Sequence, residues 1–308
     1  MKAVVSGGAG FIGSHLVDAL VRRGDEVTVL DNLLTGSLNN LLAVQGDIHF
    51  VQIDLSTGSK GLPELLAGSD CVFHLAALPS VVASVDDPLT SHAHTGTSTL
   101  ALLQAMKDAR VGRIVFSSSC AIYGDQTKLP WRTDMTPRPL SPYAADKLAS
   151  EHYLRVFHEL YGLNAITLRY FNVYGPRQPA HSEYAAVIPK FLDAARARRS
   201  PTIYGNGRQT RDFVHVRDVV RANLLSAETI LPHAVLNVAS GRQTSLLDLL
   251  DVIRRICPSL SEPEFAPARA GEVQNSVGEW RQTDAALGFR ARVGLEEGVA
   301  EVFEATHN

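Results

Sequence analysis

The stretch KAVVSGGAGFIGSHLVDAL sets a β-branched apolar run, a glycine-rich turn and an amphipathic helical pattern in immediate succession. The glycines fall at Gly8-x-Gly10-x-x-Gly13, or in a second register at Gly7-x-x-Gly10-x-x-Gly13. Glycines here permit a tight turn and let backbone amides approach a bound anion. The helix that follows directs its positive end at the same point. A continuous apolar strand feeding a helix is half of a βαβ unit, and such strands belong to parallel sheets covered on both faces.

The rest of the chain extends this pattern. Strand candidates recur at Ala3–Ser6, Glu26–Leu30, Ile48–Gln52, Cys71–His74, Arg113–Ser117 and Asn164–Arg169. Amphipathic stretches such as Phe11–Arg23 and Ser98–Ala109 lie between them. Alternation of this kind predicts a doubly wound α/β domain with right-handed crossovers. After about Gly175 the strands shorten, to Pro201–Tyr204, Arg211–Val216 and Val235–Ala239, and Pro, Gly and Arg become frequent. A helix is expected at Ser245–Ile256 with Ser245 as its N-cap, and a further one at Leu295–Thr306. This part reads as a smaller, interleaved α/β lobe.

Composition narrows the functional classes. A net charge of −3 argues against nucleic-acid or acidic-membrane binding. Three widely spaced cysteines, Cys71, Cys120 and Cys257, argue for a reducing compartment and against a disulfide framework or a zinc site. The chain opens on a strand and a glycine turn, not on a basic-then-apolar leader, and no apolar run approaches the ~20 residues of a membrane span. A soluble cytoplasmic protein without a metal is the expectation.

Asp31 follows the second strand, 18 residues past Gly13. An acidic side chain there accepts hydrogen bonds from the adenosine ribose hydroxyls and repels a 2′-phosphate, which predicts NAD over NADP. Asp54, after the third strand and next to Leu55, is placed to meet the adenine amino group. Further along, SPYAADK sets Tyr143 and Lys147 at i and i+4, on one face of a helix. A nearby ammonium stabilises phenolate, so Tyr143 could exchange a proton with a sugar hydroxyl.

The motifs GGAGFIGSHL, DNLLTG, FHLAA, FSSSCAIYGD, SPYAADK, RYFNVYGPRQ, YGNGRQTRDFVHVRDV and PARAGEV follow one another over nearly the whole chain. In that order they resemble the extended short-chain dehydrogenase/reductase family, in particular its NAD-dependent nucleotide-sugar epimerases and dehydratases. Within it the pattern is most similar to the UDP-hexose 4-epimerases. The resemblance implies a Rossmann fold with NAD held by residues 1–172. It implies a nucleotide-sugar-binding lobe over 173–308, with parts of about 211–240 returning to the first domain. It also implies a UDP-sugar substrate and a homodimer formed through the Tyr143 helix and the helix near Ser98–Ala109.

Roles follow from the matching positions. Tyr143 takes the proton of the sugar 4-hydroxyl, Ser119 bonds the 4-oxygen, and Lys147 supports the phenolate and holds the cofactor ribose. The cofactor is expected at Gly7, Gly10, Phe11, Ile12 and Gly13, then at Asp31, Asn32, Thr35 and Gly36, with Asp54 and Leu55 nearby. Ala76, Ala77, Ser117 and Tyr170 complete its surroundings. Ser118 and Asn172 are expected on substrate, Arg211 and Arg269 on the diphosphate, and Glu272 on the nucleoside ribose. Val187 and Ile188 line the nucleoside pocket, and Thr202 to Tyr204 bracket the base.

The departures matter equally. HAHTGT, bringing in His94, stands where relatives carry NVxGT, and Pro79 and Val82 occupy a loop where relatives place Lys or Arg. Pro179 stands where some uronate-acting relatives carry Arg, which argues against UDP-glucuronate; an N-acetylhexosamine substrate stays open. A 4,6-dehydratase would carry an Asp-Glu pair at the slots held by Cys120 and Ala121. A non-catalytic NAD-binding sensor would have lost Tyr143 or Lys147, and both are present.

Overall fold

The structure, a computed structural model, describes residues 1–58, 60–179, 186–268 and 273–305. The chain divides into two compact units. The first comprises Met1–Ile122, Pro139–Tyr170 and Val220–Leu236, and the second Tyr123–Arg138, Phe171–Val219 and Asn237–Asn308.

The first unit is built on a sheet whose strands are β1 (Lys2–Ser6), β2 (Glu26–Asp31), β3 (Ile48–Gln52), β4 (Cys71–His74), β5 (Arg113–Ser119) and β6 (Asn164–Tyr170). Their order is β3-β2-β1-β4-β5-β6, with His233–Val238 beyond β6, and β1 to β6 pair in parallel throughout. The order reverses between β1 and β4. That reversal opens a crevice at the carboxyl ends of the strands, where α/β sheets bind ligands. The predicted doubly wound sheet is therefore present.

Three helices position the site: α1 (Phe11–Arg22), α2 (Ser98–Asp108) and α3 (Pro142–Tyr161). Helix α3 begins where the Ser141 hydroxyl accepts from Ala144 N and Pro142 fixes the first turn; it stops at Gly162, in the left-handed region at φ 70°. Leu102 and Met106 of α2 and Leu154 and Phe157 of α3 bury their apolar faces against Val72, Ile114 and Phe116 of the sheet.

One strand runs longer than expected. β5 continues through Ser119, so all three serines lie within the sheet, paired across from Leu168, Arg169 and Tyr170.

The second unit has only short strands. Asn172–Tyr174 pairs with Phe213–His215, Thr202–Tyr204 with Glu264–Ala266, and Thr210–Arg211 with Thr244–Ser245. The strand expected over Arg211–Val216 breaks at Asp212. Its buried carboxylate accepts from Ser240 N, Ser240 Oγ, Gly241 N and Gly278 N, while its backbone carbonyl accepts from Asn172 N. Helices Val187–Arg196, Leu246–Ile256 and Leu295–Ala305 enclose a separate core containing Leu192, Ile203, Leu249, Ile253 and Val299. Ser245 caps its helix in a reciprocal box with Asp248, as expected. The helix Val187–Arg196 escaped the sequence reading. Pro189 falls in its first turn, where an absent N–H costs nothing.

Candidate active site

The glycine turn is shaped by close approach. Gly7 has φ +73°, and a Cβ there would stand 2.6 Å from Ala76 N, just beyond β4. A Cβ on Gly13 would stand 2.1 Å from Gly7 O, and one on Gly36 2.9 Å from the Ala9 carbonyl carbon. No side chain caps α1 at Gly10, which leaves its positive end, at half-buried Phe11 and Ile12, to a ligand. The Asp31 carboxylate accepts from Ala9 N at 2.9 Å and Leu33 N at 2.8 Å, and each oxygen keeps a lone pair for a ribose hydroxyl. These residues fit a dinucleotide: a backbone cradle for pyrophosphate, and an acidic acceptor at the end of β2.

Around this cradle, Asn32 Oδ1 accepts from Leu34 N, Thr35 is exposed, and Ala76 and Ala77 are half-buried. Asp54 caps a short turn by accepting from Ser56 N at 2.9 Å, and His94 Nδ1 lies 3.7 Å from its Oδ1. Burial would raise the Asp54 pKa, but the hydrogen bonds from Ser56 and Asn32 outweigh it and hold the carboxyl below its ordinary value. The Leu55 side chain is 5% exposed and belongs to the core of the first unit, so only its backbone can serve the cofactor.

At the end of β5 the expected trio comes together. The Ser119 hydroxyl accepts from Ala121 N at 3.1 Å and lies close enough to Tyr143 to favour its phenolate. Lys147 Nζ donates to the Ser117 carbonyl at 2.7 Å and lies 5.9 Å from the centre of the Tyr143 ring. Burial pushes the Tyr143 phenol well above its ordinary value, with Ser119 opposing. Burial also drives Lys147 down to about 7, against Glu151 and Asp146, which favour its charge. Both groups are thus displaced toward their neutral forms by a dry site. Cys120 is half-buried and opens the turn Cys120–Tyr123. The Tyr123 hydroxyl donates to Asn237 Oδ1 within the second unit, a packing role.

The structure separates Ser118 from the substrate residues. Successive side chains alternate across a strand, so Ser117 and Ser119 face one way and Ser118 the other. Ser118 Oγ donates to Glu151 Oε1 at 2.5 Å, and Glu151 is held by Arg169 through two bonds of 3.0 and 2.7 Å. Ser117 Oγ instead meets the Tyr170 hydroxyl at 2.9 Å, which in turn bonds Asn223. Burial raises Tyr170 to about 12, so it stays a neutral phenol.

His74 also went unassigned in the sequence. Its Nε2 lies 2.9 Å from Thr99 Oγ1 and its Nδ1 2.7 Å from Ser6 Oγ. The Thr99 hydroxyl already donates to Thr95 O at 2.7 Å, so it accepts from His74 Nε2–H, and Nδ1 accepts from Ser6. Burial, with Lys147 adding to it, lowers His74 to about 3 and keeps it neutral. The ring thereby ties the ends of β1 and β4 on either side of the crevice. The signal was the histidine of FHLAA, whose partners lie 68 and 25 residues away.

In the second unit the expected substrate residues line two cavities that share Val187 and Leu246. One, of about 320 Å³, is bordered by Thr202, Tyr204, Lys190 and Gln209. The other, of about 180 Å³, is bordered by Asn172, Gln178, Ile188 and Arg211. Asn172 Oδ1 and Gln178 Oε1 are buried and make no hydrogen bond. Arg211 donates to Thr210 O at 2.9 Å. Arg269 and Glu272 lie outside the described residues.

The model of the NAD dependent epimerase/dehydratase family matches residues 3–239. A UDP-glucose 4-epimerase of Mycolicibacterium smegmatis is 37% identical over 311 residues, covering 100% of this chain and 99% of its own. A UDP-N-acetylglucosamine 4-epimerase of Methanobrevibacter ruminantium, solved with UDP-N-acetylmuramic acid, superposes with TM-score 0.95 at 39% identity, covering 99% of this chain and 98% of its own. A UDP-glucose 4-epimerase of Thermotoga maritima, solved with UDP-glucose, superposes with TM-score 0.95 at 36% identity, covering 100% and 99%.

Proposed function

We propose, for a chain that belongs to the NAD dependent epimerase/dehydratase family, that it inverts C4 of a UDP-hexose of the glucose/galactose type. The observation that carries this reading is the Ser119–Tyr143–Lys147 constellation at the carboxyl end of β5, in the same unit as the glycine cradle. When bound, NAD supplies the hydride acceptor and donor for C4. It would be held by the Gly7–Gly13 turn, Asp31 and Lys147.

The residues of the chain do the proton work. Tyr143 accepts the proton of the 4-hydroxyl as C4 is oxidised and returns it after the sugar presents its other face. Ser119 bonds the same oxygen and keeps it aligned with the phenol. Lys147, when charged, offsets the burial that otherwise keeps Tyr143 protonated. Arg211 and Asn172, which line one cavity, suit the diphosphate and a substrate hydroxyl. The planar fork of Arg suits phosphate oxygens, and an orphaned amide oxygen suits a hydroxyl.

A 4,6-dehydratase reading has less support. It needs an acid and a base after Ser119, where Cys120 and Ala121 stand, and a methyl group is no base. Pro179 in place of a cation favours a neutral hexose over a uronate. An isologous homodimer is supported by Tyr153, Val156 and Leu160, which are 41, 42 and 67% exposed at i, i+3 and i+7 of α3. No helix among the described residues is long and apolar enough to cross a membrane, and a cytoplasmic site of action is part of the proposal. Incubation with UDP-glucose, UDP-N-acetylglucosamine and UDP-glucuronate, with products resolved by NMR, tests the reading. A C4 epimer of UDP-glucose is the expected product; a 4-keto-6-deoxy sugar, or no epimer from any of the three, overturns it.

A further inference from the structure

We propose that Glu151 is a positioning residue for proton transfer, acting through Ser118 from the opposite face of β5. The inference rests on the reading of Tyr143 as the proton acceptor. Three consecutive strand residues face three different demands. The Ser117 carbonyl takes Lys147 Nζ, the Ser119 hydroxyl lies beside Tyr143, and Ser118 Oγ between them is held at 2.5 Å by Glu151.

Ser118 is the only one of the three whose side chain anchors the strand from behind. A hydroxyl bonded to a carboxylate is a charge-assisted bond, stronger than a neutral one. The carboxylate is itself immobile: two Arg169 bonds grip it, and both side chains are 5% exposed. Arg169 is the register partner of Ser118 on β6, so the clamp spans two adjacent strands and α3. Glu151 also lies two turns beyond Tyr143 and one beyond Lys147 on the same helical face. One carboxylate therefore fixes the distance between the helix that carries the base and the strand that carries its partners.

The charges around the pair are few. Glu151 faces Arg169 of β6, Lys147 of its own helix and, more distantly, His233; Lys147 faces Glu151, Asp146 and the neutral His74 of β4. Loosening the clamp displaces both the Ser119 hydroxyl and Lys147 from Tyr143. Each of these favours phenolate, so the Tyr143 pKa must rise.

Ser118→Ala removes the anchor and leaves the Glu151–Arg169 pair intact, which keeps the fold. In the NAD-loaded protein carrying ring-labelled tyrosine, NMR titration is expected to show Tyr143 moved upward by about one unit relative to wild type. With UDP-glucose as substrate, kcat is expected to fall about tenfold at neutral pH. KM should hold, and the acid limb of the kcat profile should move to higher pH. Glu151→Gln, which also takes charge from beside Lys147, should move the limb further. An unmoved Tyr143 titration in Ser118→Ala overturns the proposal, as does a uniform fall in kcat at all pH values. Because the titration needs no sugar, failure of wild type to turn over UDP-glucose would count against the substrate reading and leave this test decisive.

Discussion

The two units prepare for their ligands in opposite ways. In the first, the groups that would do chemistry are already set: Lys147 donates to the Ser117 carbonyl, Ser117 meets Tyr170, and Ser119 lies beside Tyr143. In the second, Asn172 Oδ1 and Gln178 Oε1 are buried beside an open cavity with no hydrogen bond at all. Gln178 cannot be relieved by turning its amide, because its Nε2 already donates to Val173 O, which can only accept. Proton transfer needs atoms held in place before the substrate arrives, whereas binding gains when the ligand satisfies a bond the free protein lacks. The proton-transfer groups of unit one are set in the free protein; the orphaned amide oxygens of unit two are completed by what they bind.

The largest effect should come from breaking the groups already set. Tyr143→Phe leaves the ring and its packing and removes the hydroxyl. General acid–base catalysis is worth ~10²–10⁴ in rate, and kcat is expected to fall by about that factor. Bound NAD, read from absorbance of the denatured supernatant, should be unchanged. Near-normal turnover would remove Tyr143 from its role.

A smaller effect should come from the unfinished half, and it should split from stability. Asn172→Ala removes an oxygen that costs the free protein about 1–3 kcal/mol of desolvation. We expect the melting temperature to hold or rise while KM for the UDP-sugar increases about tenfold and kcat stays within about threefold. A lower melting temperature with unchanged KM would mean that Asn172 serves the fold and not the ligand, and the contrast between the units would collapse. Arg211→Lys keeps the charge but loses the planar fork, so it should raise KM by a similar factor.

What the sequence made legible follows from what is local. The turn Gly7–Gly13, Asp31 at the end of β2, and the i, i+4 pair Tyr143 and Lys147 are short-range patterns, and periodicity alone placed the strands and helices that carry them. Ser118 was misread because its role depends on two things no window displays: that β5 runs to Ser119, and that register sets Ser118 opposite Arg169. Glu151 sits on the same helical face as Lys147, so its spacing was visible, but its partners were not. The side chain of Leu55, next to Asp54, turns into the core, and no short window displays that. The role of Asp212 was hidden for the same reason as that of Glu151: its carboxylate bonds backbone amides of Ser240, Gly241 and Gly278, all remote in sequence.

The smallest expected effect concerns how the first unit stays set. His74 is fully buried and neutral, with a value near 3 against an ordinary 6.5. Between those two values the unfolded chain binds a proton that the folded chain refuses. The contribution of His74 to folding is therefore whole above about 6.5 and is lost progressively as pH falls toward about 3. His74→Gln abolishes that linkage while keeping an amide donor and acceptor for Thr99 and Ser6. At neutral pH the variant should be less stable than wild type by about 1–2 kcal/mol, the worth of imperfect hydrogen bonds. In mild acid the gap should shrink, because only wild type pays for the refused proton. Urea midpoints at the two pH values measure this directly. A gap of equal size at both would show that the ring titrates with the chain folded, and that the β1–β4 crevice is less firmly set than the geometry of His74 implies.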